Sequence, residues 1–363
     1  MRDVAMAAGA VGYGVTSVAP FDDVRVTMEQ RKSSGMSGLL GFTFRDPESA
    51  TNVGETFPWA RRLVVVATTY LPEAGSPADT VPGTGRIARF ATDLHYRQLA
   101  EVLDAVVLDL VARGFLAEAV HDDARLVDRA AAVRAGVGWW GKNTMVLTPG
   151  YGPWILLGSV VTDAELPLDS PMSRTCGTCA ACLPACPTGA LVEPGVLDAR
   201  LCIAYWLQTP GVIPLEIRTA VGDRVYGCDE CLDACPPGQM LLSRATVERG
   251  RVDLVALLTA ADRELEGDTE HWYVPKRDMD YVRRNALIAI GNGADRSHVG
   301  IVAGWLGNGS SMLRSHAAWA LGEIGGDQAR DALDAAARIE TDDDVAAEIT
   351  YAFARCGQRP EVR

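Results

Sequence analysis

Eight of the nine cysteines in this 363-residue chain fall within residues 176–235, and that crowding limits the fold more than any other feature. Cys176, Cys179, Cys182 and Cys186, followed by Pro187, spell C-x2-C-x2-C-x3-C-P. Cys228, Cys231 and Cys235, followed by Pro236, spell C-x2-C-x3-C-P, one ligand short, and the otherwise stray Cys202 can supply it. Thiolates are soft ligands, and the short spacings let a tight loop wrap one corner of a [4Fe-4S] cube while a distant cysteine closes it. Four thiolates also suit structural zinc, but a zinc ribbon needs neither three close cysteines with a fourth at x3 nor the proline. Cys356 stands apart in an Ala-rich helical stretch and reads as a small buried hydrophobe.

In two-cluster segments of the bacterial-ferredoxin kind, the cysteine before the proline ligates the other cluster. The expected sets are therefore Cys176, Cys179, Cys182 and Cys235 for one cluster, and Cys186, Cys202, Cys228 and Cys231 for the other. Two clusters side by side move electrons one at a time and need a terminus where chemistry happens. Residues 1–165 are long enough to hold it.

The net charge of -13 argues against a chain coated in basic residues for nonspecific nucleic-acid binding, though a local basic patch is compatible with it. No apolar run approaches the roughly 20 residues of a membrane span, and the N-terminus has no apolar block followed by a cleavage site. A cytoplasmic protein without membrane contact is expected. Continuous apolar runs at Arg62–Tyr70 and Trp154–Thr162 predict buried strands, and Leu99, Val102, Leu103, Val106, Val107 and Leu110 predict a helix over Tyr96–Gly114. Gly136, Gly138 and Gly141 imitate a dinucleotide fingerprint, yet a helical stretch precedes them and strand-like Met145–Leu147 follows, which is the wrong order. Beyond Pro237, Arg283–Gly291 aligns with Arg314–Gly322 at a spacing of 31 residues, and a weaker copy starts near Val345, as in a helical solenoid of the HEAT type.

Several segments resemble the epoxyqueuosine reductases, which remove an epoxide oxygen in the last step of making the queuosine base of tRNA. They are Ala135–Thr144, the double cysteine segment, Leu197–Tyr205, Ile217–Tyr226 leading into Gly227–Cys231, and Arg283–Asn292. The resemblance implies an α+β multidomain fold: a nitroreductase-like α/β cobalamin domain (1–168), a bacterial-ferredoxin-like two-cluster module (169–245) and C-terminal α-helical HEAT-like repeats (246–363) that hold tRNA. It implies Asp122 as proton donor, and Arg45, Lys142, Asn143, Thr144 and Tyr205 as contacts of the cobalamin. It also implies an external one-electron donor such as ferredoxin or flavodoxin, and a monomer is expected. The chain departs from the family pattern at Arg125, Leu94, Trp206–Thr209 and Pro237–Gly238.

Residues 241–363 hold 15 Lys+Arg against 20 Asp+Glu, a balance of 15 - 20 = -5 in the part that should grip a polyanion. Lys276, Arg277, Arg283, Arg284 and Arg314 could still form one basic face there, since Arg283 and Arg314 occupy equivalent repeat positions. The alternative is a related corrinoid and iron-sulfur reductase acting on a small molecule, as in the reductive dehalogenases.

Overall fold

The computed structural model describes residues 1–71, 82–242 and 250–356. The chain forms two compact units. The first combines Met1–Pro77, Asp93–Cys202 and Asp229–Glu248, and the second combines Ala78–Thr92, Ile203–Cys228 and Arg249–Arg363. The expected boundary between residues 245 and 246 lies outside the described residues.

The first unit is built on a four-stranded antiparallel sheet of β1 (Gly12–Ser17), β2 (Arg62–Thr69), β3 (Ala117–Val120) and β4 (Ile155–Thr162), in the order β1-β2-β4-β3. The two central strands are the apolar runs seen in the sequence, and Leu63 to Ala67 are fully buried because both faces of β2 are covered. Leu63, Val65 and Ala67 pack with Ala130, Ala131 and Ala132 of the short helix Asp128–Arg134. The helix His95–Ala112 buries Leu99, Val102, Leu103, Val106 and Leu110, one apolar stripe at helical spacing. Gly136, in the left-handed region at φ 70°, follows the Asp128–Arg134 helix, and the hairpin Trp139–Trp140/Val146–Leu147 comes next. The glycine run thus joins a helix to a hairpin, the reverse of a nucleotide-binding turn.

In the second unit the helices Asp280–Gly293, Ser311–Ile324 and Asp343–Cys356 start 31 and then 32 residues apart and stack on one another. Gly291 and Gly322 stand at the same place in successive repeats. A Cβ at Gly291 would lie 2.8 Å from the Trp319 ring and 2.9 Å from Ala320 Cα, and one at Gly322 would lie 2.7 Å from Ala352 Cα. The repeat therefore needs a side chain of no size where neighbouring helices touch.

The same stack anchors the chain that follows Cys202. Arg284, fully buried, donates to the carbonyls of Trp206 (3.0 Å), Thr209 (2.7 Å) and Gly211 (2.5 Å). Asn285 Nδ2 donates to Leu207 O and Val225 O. All but Val225 O are loose carbonyls at or just past the C-terminal end of the helix Ile203–Gln208, where the helix dipole welcomes a cation. Burial pushes the Arg284 guanidinium down to about 9.

Gly322→Ala should lower stability by about 1–3 kcal/mol, because the new methyl meets the backbone of Ala352, which cannot swing aside. Denaturant unfolding measures this, and an unchanged midpoint would contradict the close-packed reading of the repeat.

Candidate functional site

Cys176, Cys179, Cys182 and Cys235 line one cavity of about 170 Å³ in the first unit, together with Trp139, Lys142, Asn143 and Leu147. Two of its walls come from the Trp139–Leu147 hairpin. The turn between the strands closes through Gly141 N to Met145 O and Thr144 N to Gly141 O, which holds Thr144 at φ 66° and puts Lys142 and Asn143 at the tip. Lys142 Nζ donates to Gly177 O (2.8 Å), inside the first cysteine loop, and Asn143 Nδ2 donates to Cys231 O (3.4 Å) in the second. The hairpin tip is thus tied to both cysteine loops.

Cys235 is fixed from the other side. Gly238 packs so closely on Gly152 that a Cβ there would lie 2.6 Å from Gly238 N, and Trp154 Nε1 donates to Gly238 O (3.1 Å). Trp139, Leu147 and Cys235 form a small apolar cluster with Met172 and Cys176 against them. Burial pushes the Cys182 thiol up and the Cys235 thiol up to about 11. Of the remaining cysteines, Cys186 and Cys231 belong to the first unit, Cys202 is the last residue of its second segment, and Cys228 is the last residue of a second-unit segment.

Asp122 sits on the loop between β3 and the helix Asp128–Arg134, exposed, with its backbone in the left-handed region at φ 47°. Asparagine and aspartate tolerate that region better than most residues, and such outliers concentrate at functional sites. Arg125 braces the loop: it pairs with Asp123 (2.6 Å) and with Glu118 (3.1 Å), and its guanidinium lies 5.0 Å above the Phe57 ring. That hydrogen-bonded arginine also holds the Asp123 carboxyl below its ordinary range. The loop is therefore held by an ion-pair network at the position where the sequence departs from the family pattern.

Behind Asp122 lies Asp128, a residue not singled out from the sequence. Its Oδ1 is closed off from solvent and has no hydrogen-bond partner, as is His121 Nδ1. Burial, with smaller contributions from Asp122 and Asp123, pushes the Asp128 carboxyl up to about 8, although Arg129 beside it acts in the opposite direction. The Tyr96 ring stacks on His121 at 6.3 Å. Arg129 Nη1 reaches Thr144 O (3.2 Å), linking this helix to the hairpin turn. Nothing in the sequence marks Asp128 except its place at the start of a helix, because desolvation depends on what packs around it.

The remaining expected site residues are dispersed. Arg45 is exposed at the end of the short helix Phe42–Arg45, and its carbonyl accepts from Lys32 Nζ (3.1 Å). Tyr205 is buried in the second unit, edge-on to Trp206 at 5.1 Å.

The expected basic face of the repeats is not formed. Arg284 is fully buried among carbonyls, Arg283 pairs with Asp262 (2.6 Å) and Asp280 (3.5 Å), and Arg314 makes a two-pronged pair with Glu340. Arg277 donates to the carbonyls of Glu266, Thr269 and Trp272. Only Lys276 of the five is exposed. Equivalent repeat positions put these arginines where helices meet, so their charge is consumed internally.

Residues 175–238 match the 4Fe-4S double cluster binding domain and residues 276–354 match HEAT repeats. Fold and cysteine site together define an iron-sulfur protein with a helical-repeat part. The epoxyqueuosine reductase of Bacillus cereus is 30% identical over 361 residues, covering 96% of this chain and 94% of its own, and that of Bacillus subtilis is 32% identical, covering 96% and 92%. A crystal structure of an epoxyqueuosine reductase with an epoxyqueuosine-modified tRNA-Tyr stem loop superposes with a TM-score of 0.88 at 29% identity, over 98% of this chain and 97% of the other. A Bacillus subtilis epoxyqueuosine reductase, solved with an aspartate-bearing catalytic loop swung out of the active site, also gives 0.88, at 29% identity over 98% and 97%. This chain belongs to the epoxyqueuosine reductase family.

The raised Asp128 carboxyl makes a pH prediction. The folded state keeps a proton that the unfolded chain releases above its ordinary value of 3.8, so stability falls as pH rises from about 4 to about 8 and levels off above that. Asp128→Asn removes the penalty. In chemical denaturation its gain over the native chain should grow across that window to a few kcal/mol, and parallel pH profiles for the two proteins would contradict the buried, protonated carboxyl.

Proposed function

We propose that this chain reduces epoxyqueuosine in tRNA to queuosine, using electrons relayed through two [4Fe-4S] clusters to a cobalamin held by the first unit. The observation that carries the proposal is the cavity lined by four cysteines in the same unit as the Asp122 loop. All four of its potential ligands are sulfur, the donor set of an iron-sulfur cube. The cavity they line is about 170 Å³, and three close cysteines with a fourth at x3 before a proline are the spacing of a cubane rather than of a zinc ribbon. Cys176, Cys179, Cys182 and Cys235 are the ligands of one cluster in this reading, and Cys186, Cys202, Cys228 and Cys231 of the other.

The closed-off, partnerless His121 Nδ1 and Asp128 Oδ1 suit a polar group bound near Asp122 and fit cobalamin, with its many amides. Arg45, Lys142, Asn143 and Thr144 are the first-unit residues that would hold it. When bound, cobalamin supplies a cobalt centre able to pass electrons to the epoxide. Opening the ring and expelling its oxygen as water consumes two electrons and two protons and leaves a carbon-carbon double bond. Asp122 is the group that delivers a proton to the leaving oxygen: it is exposed on a loop braced by Arg125, with its backbone in the left-handed region. An external donor of the ferredoxin or flavodoxin kind would refill the clusters, in the cytoplasm, and tRNA is the macromolecular partner.

Asp122→Asn should cut turnover of epoxyqueuosine-modified tRNA by about 100-fold or more while iron content and tRNA binding persist. Undiminished turnover would remove Asp122 from the reaction. Binding of tRNA by the native chain should weaken steeply between about 50 and 200 mM salt. Salt-independent or absent binding would favour a small-molecule substrate.

A further inference from the structure

Lys142 carries the only cation among the side chains lining the four-cysteine cavity. It is half-buried, and its ammonium is spent on Gly177 O, a backbone acceptor between Cys176 and Cys179, with no carboxylate taking its charge in any ion pair among the described residues. Arg174, exposed, stacks on the Trp139 ring of the cavity wall, 5.1 Å from its centroid. The hairpin that carries Lys142 is rigid: its tip is closed by backbone hydrogen bonds, and Gly195 N donates to Lys142 O (2.8 Å).

We propose that Lys142 sets the reduction potential of the cluster held by Cys176, Cys179, Cys182 and Cys235. The inference rests on the two-cluster reading above. When such a cluster accepts one electron from the external one-electron donor, its negative charge rises by one, no bond is broken and no proton need move. A fixed ammonium at the cavity wall stabilises the reduced state more than the oxidised one, and partial burial keeps water and salt from screening it. Net charge and hydrogen bonding around the sulfurs are the protein's means of setting such potentials. Lys142 is a positioning and tuning residue here; it makes no bond to substrate. Its consequence is that the cluster beside the hairpin accepts electrons more readily than the cysteine loops alone would allow.

The test uses the full chain, purified without oxygen, with each cluster's midpoint potential read by EPR-monitored redox titration. Lys142→Gln keeps a donor for Gly177 O and removes the charge; Lys142→Arg keeps both. In Lys142→Gln one cluster should become at least tenfold harder to reduce, a fall of about 59 mV or more, with the other cluster unmoved and the iron content unchanged. Lys142→Arg should stay within about threefold of the native protein, and Arg174→Gln should shift neither cluster by tenfold. Unmoved potentials in Lys142→Gln, an equal shift of both clusters, or an equal shift in Arg174→Gln would overturn the proposal. If Lys142→Gln loses the iron of one cluster, Lys142→Arg decides: native iron and potential there uphold the role of the cation, and loss there too overturns it. Native protein that contains zinc or no iron fails earlier, and that result contradicts the two-cluster reading itself.

Discussion

The contact between a hairpin tip and two cysteine loops is what the site depends on. Lys142 on Gly177 O and Asn143 on Cys231 O tie three stretches of chain that are far apart in sequence, and the Gly152–Gly238 approach fixes the fourth sulfur. Without these ties the cysteines would sit on segments whose own elements are short, such as the four-residue helices Cys182–Ala185 and Glu230–Asp233 and the seven-residue helix Pro236–Leu242. The central strand β2 packs on the Asp128–Arg134 helix, which links the Asp122 loop to the hairpin.

Two buried ionisable side chains, Asp128 and Arg284, are satisfied to different degrees. In the first unit, one oxygen of the Asp128 carboxyl is closed off with no hydrogen-bond partner, which is costly for an ionised group. In the second, the Arg284 cation is surrounded by carbonyl oxygens at the end of a helix, an arrangement that satisfies its donors and locks the chain after Cys202 onto the repeats. The first costs stability as pH rises, and the second is a structural pin.

Much of this was legible in the sequence where one residue type can do only one thing. Eight cysteines at ligand spacing, the largely apolar runs at 62–70 and 154–162, the apolar stripe of 96–114 and the 31-residue repeat each correspond to an element or match in the structure. The glycine run was correctly set aside as a nucleotide site because the order of helix and hairpin is readable locally. Reading failed where a charged residue has many possible partners. Arg283, Arg284 and Arg314 look like a basic face in one dimension, yet Asp262, Glu340 and a set of helix-end carbonyls claim them in three. Asp128 went unnoticed for the same reason, since its burial is made by residues distant in sequence. Arg125 departs from the family pattern, and its ion pairs with Asp123 and Glu118 brace the loop that carries it.

Iron, acid-labile sulfide and cobalt analysis of anaerobically purified protein, followed by EPR after chemical reduction, bears most directly on the claim that these thiols hold redox centres. About eight iron atoms per chain with a paramagnetic signal on reduction is the outcome that two four-iron clusters require. Zinc in their place, or a protein that stays EPR-silent when reduced, would contradict it.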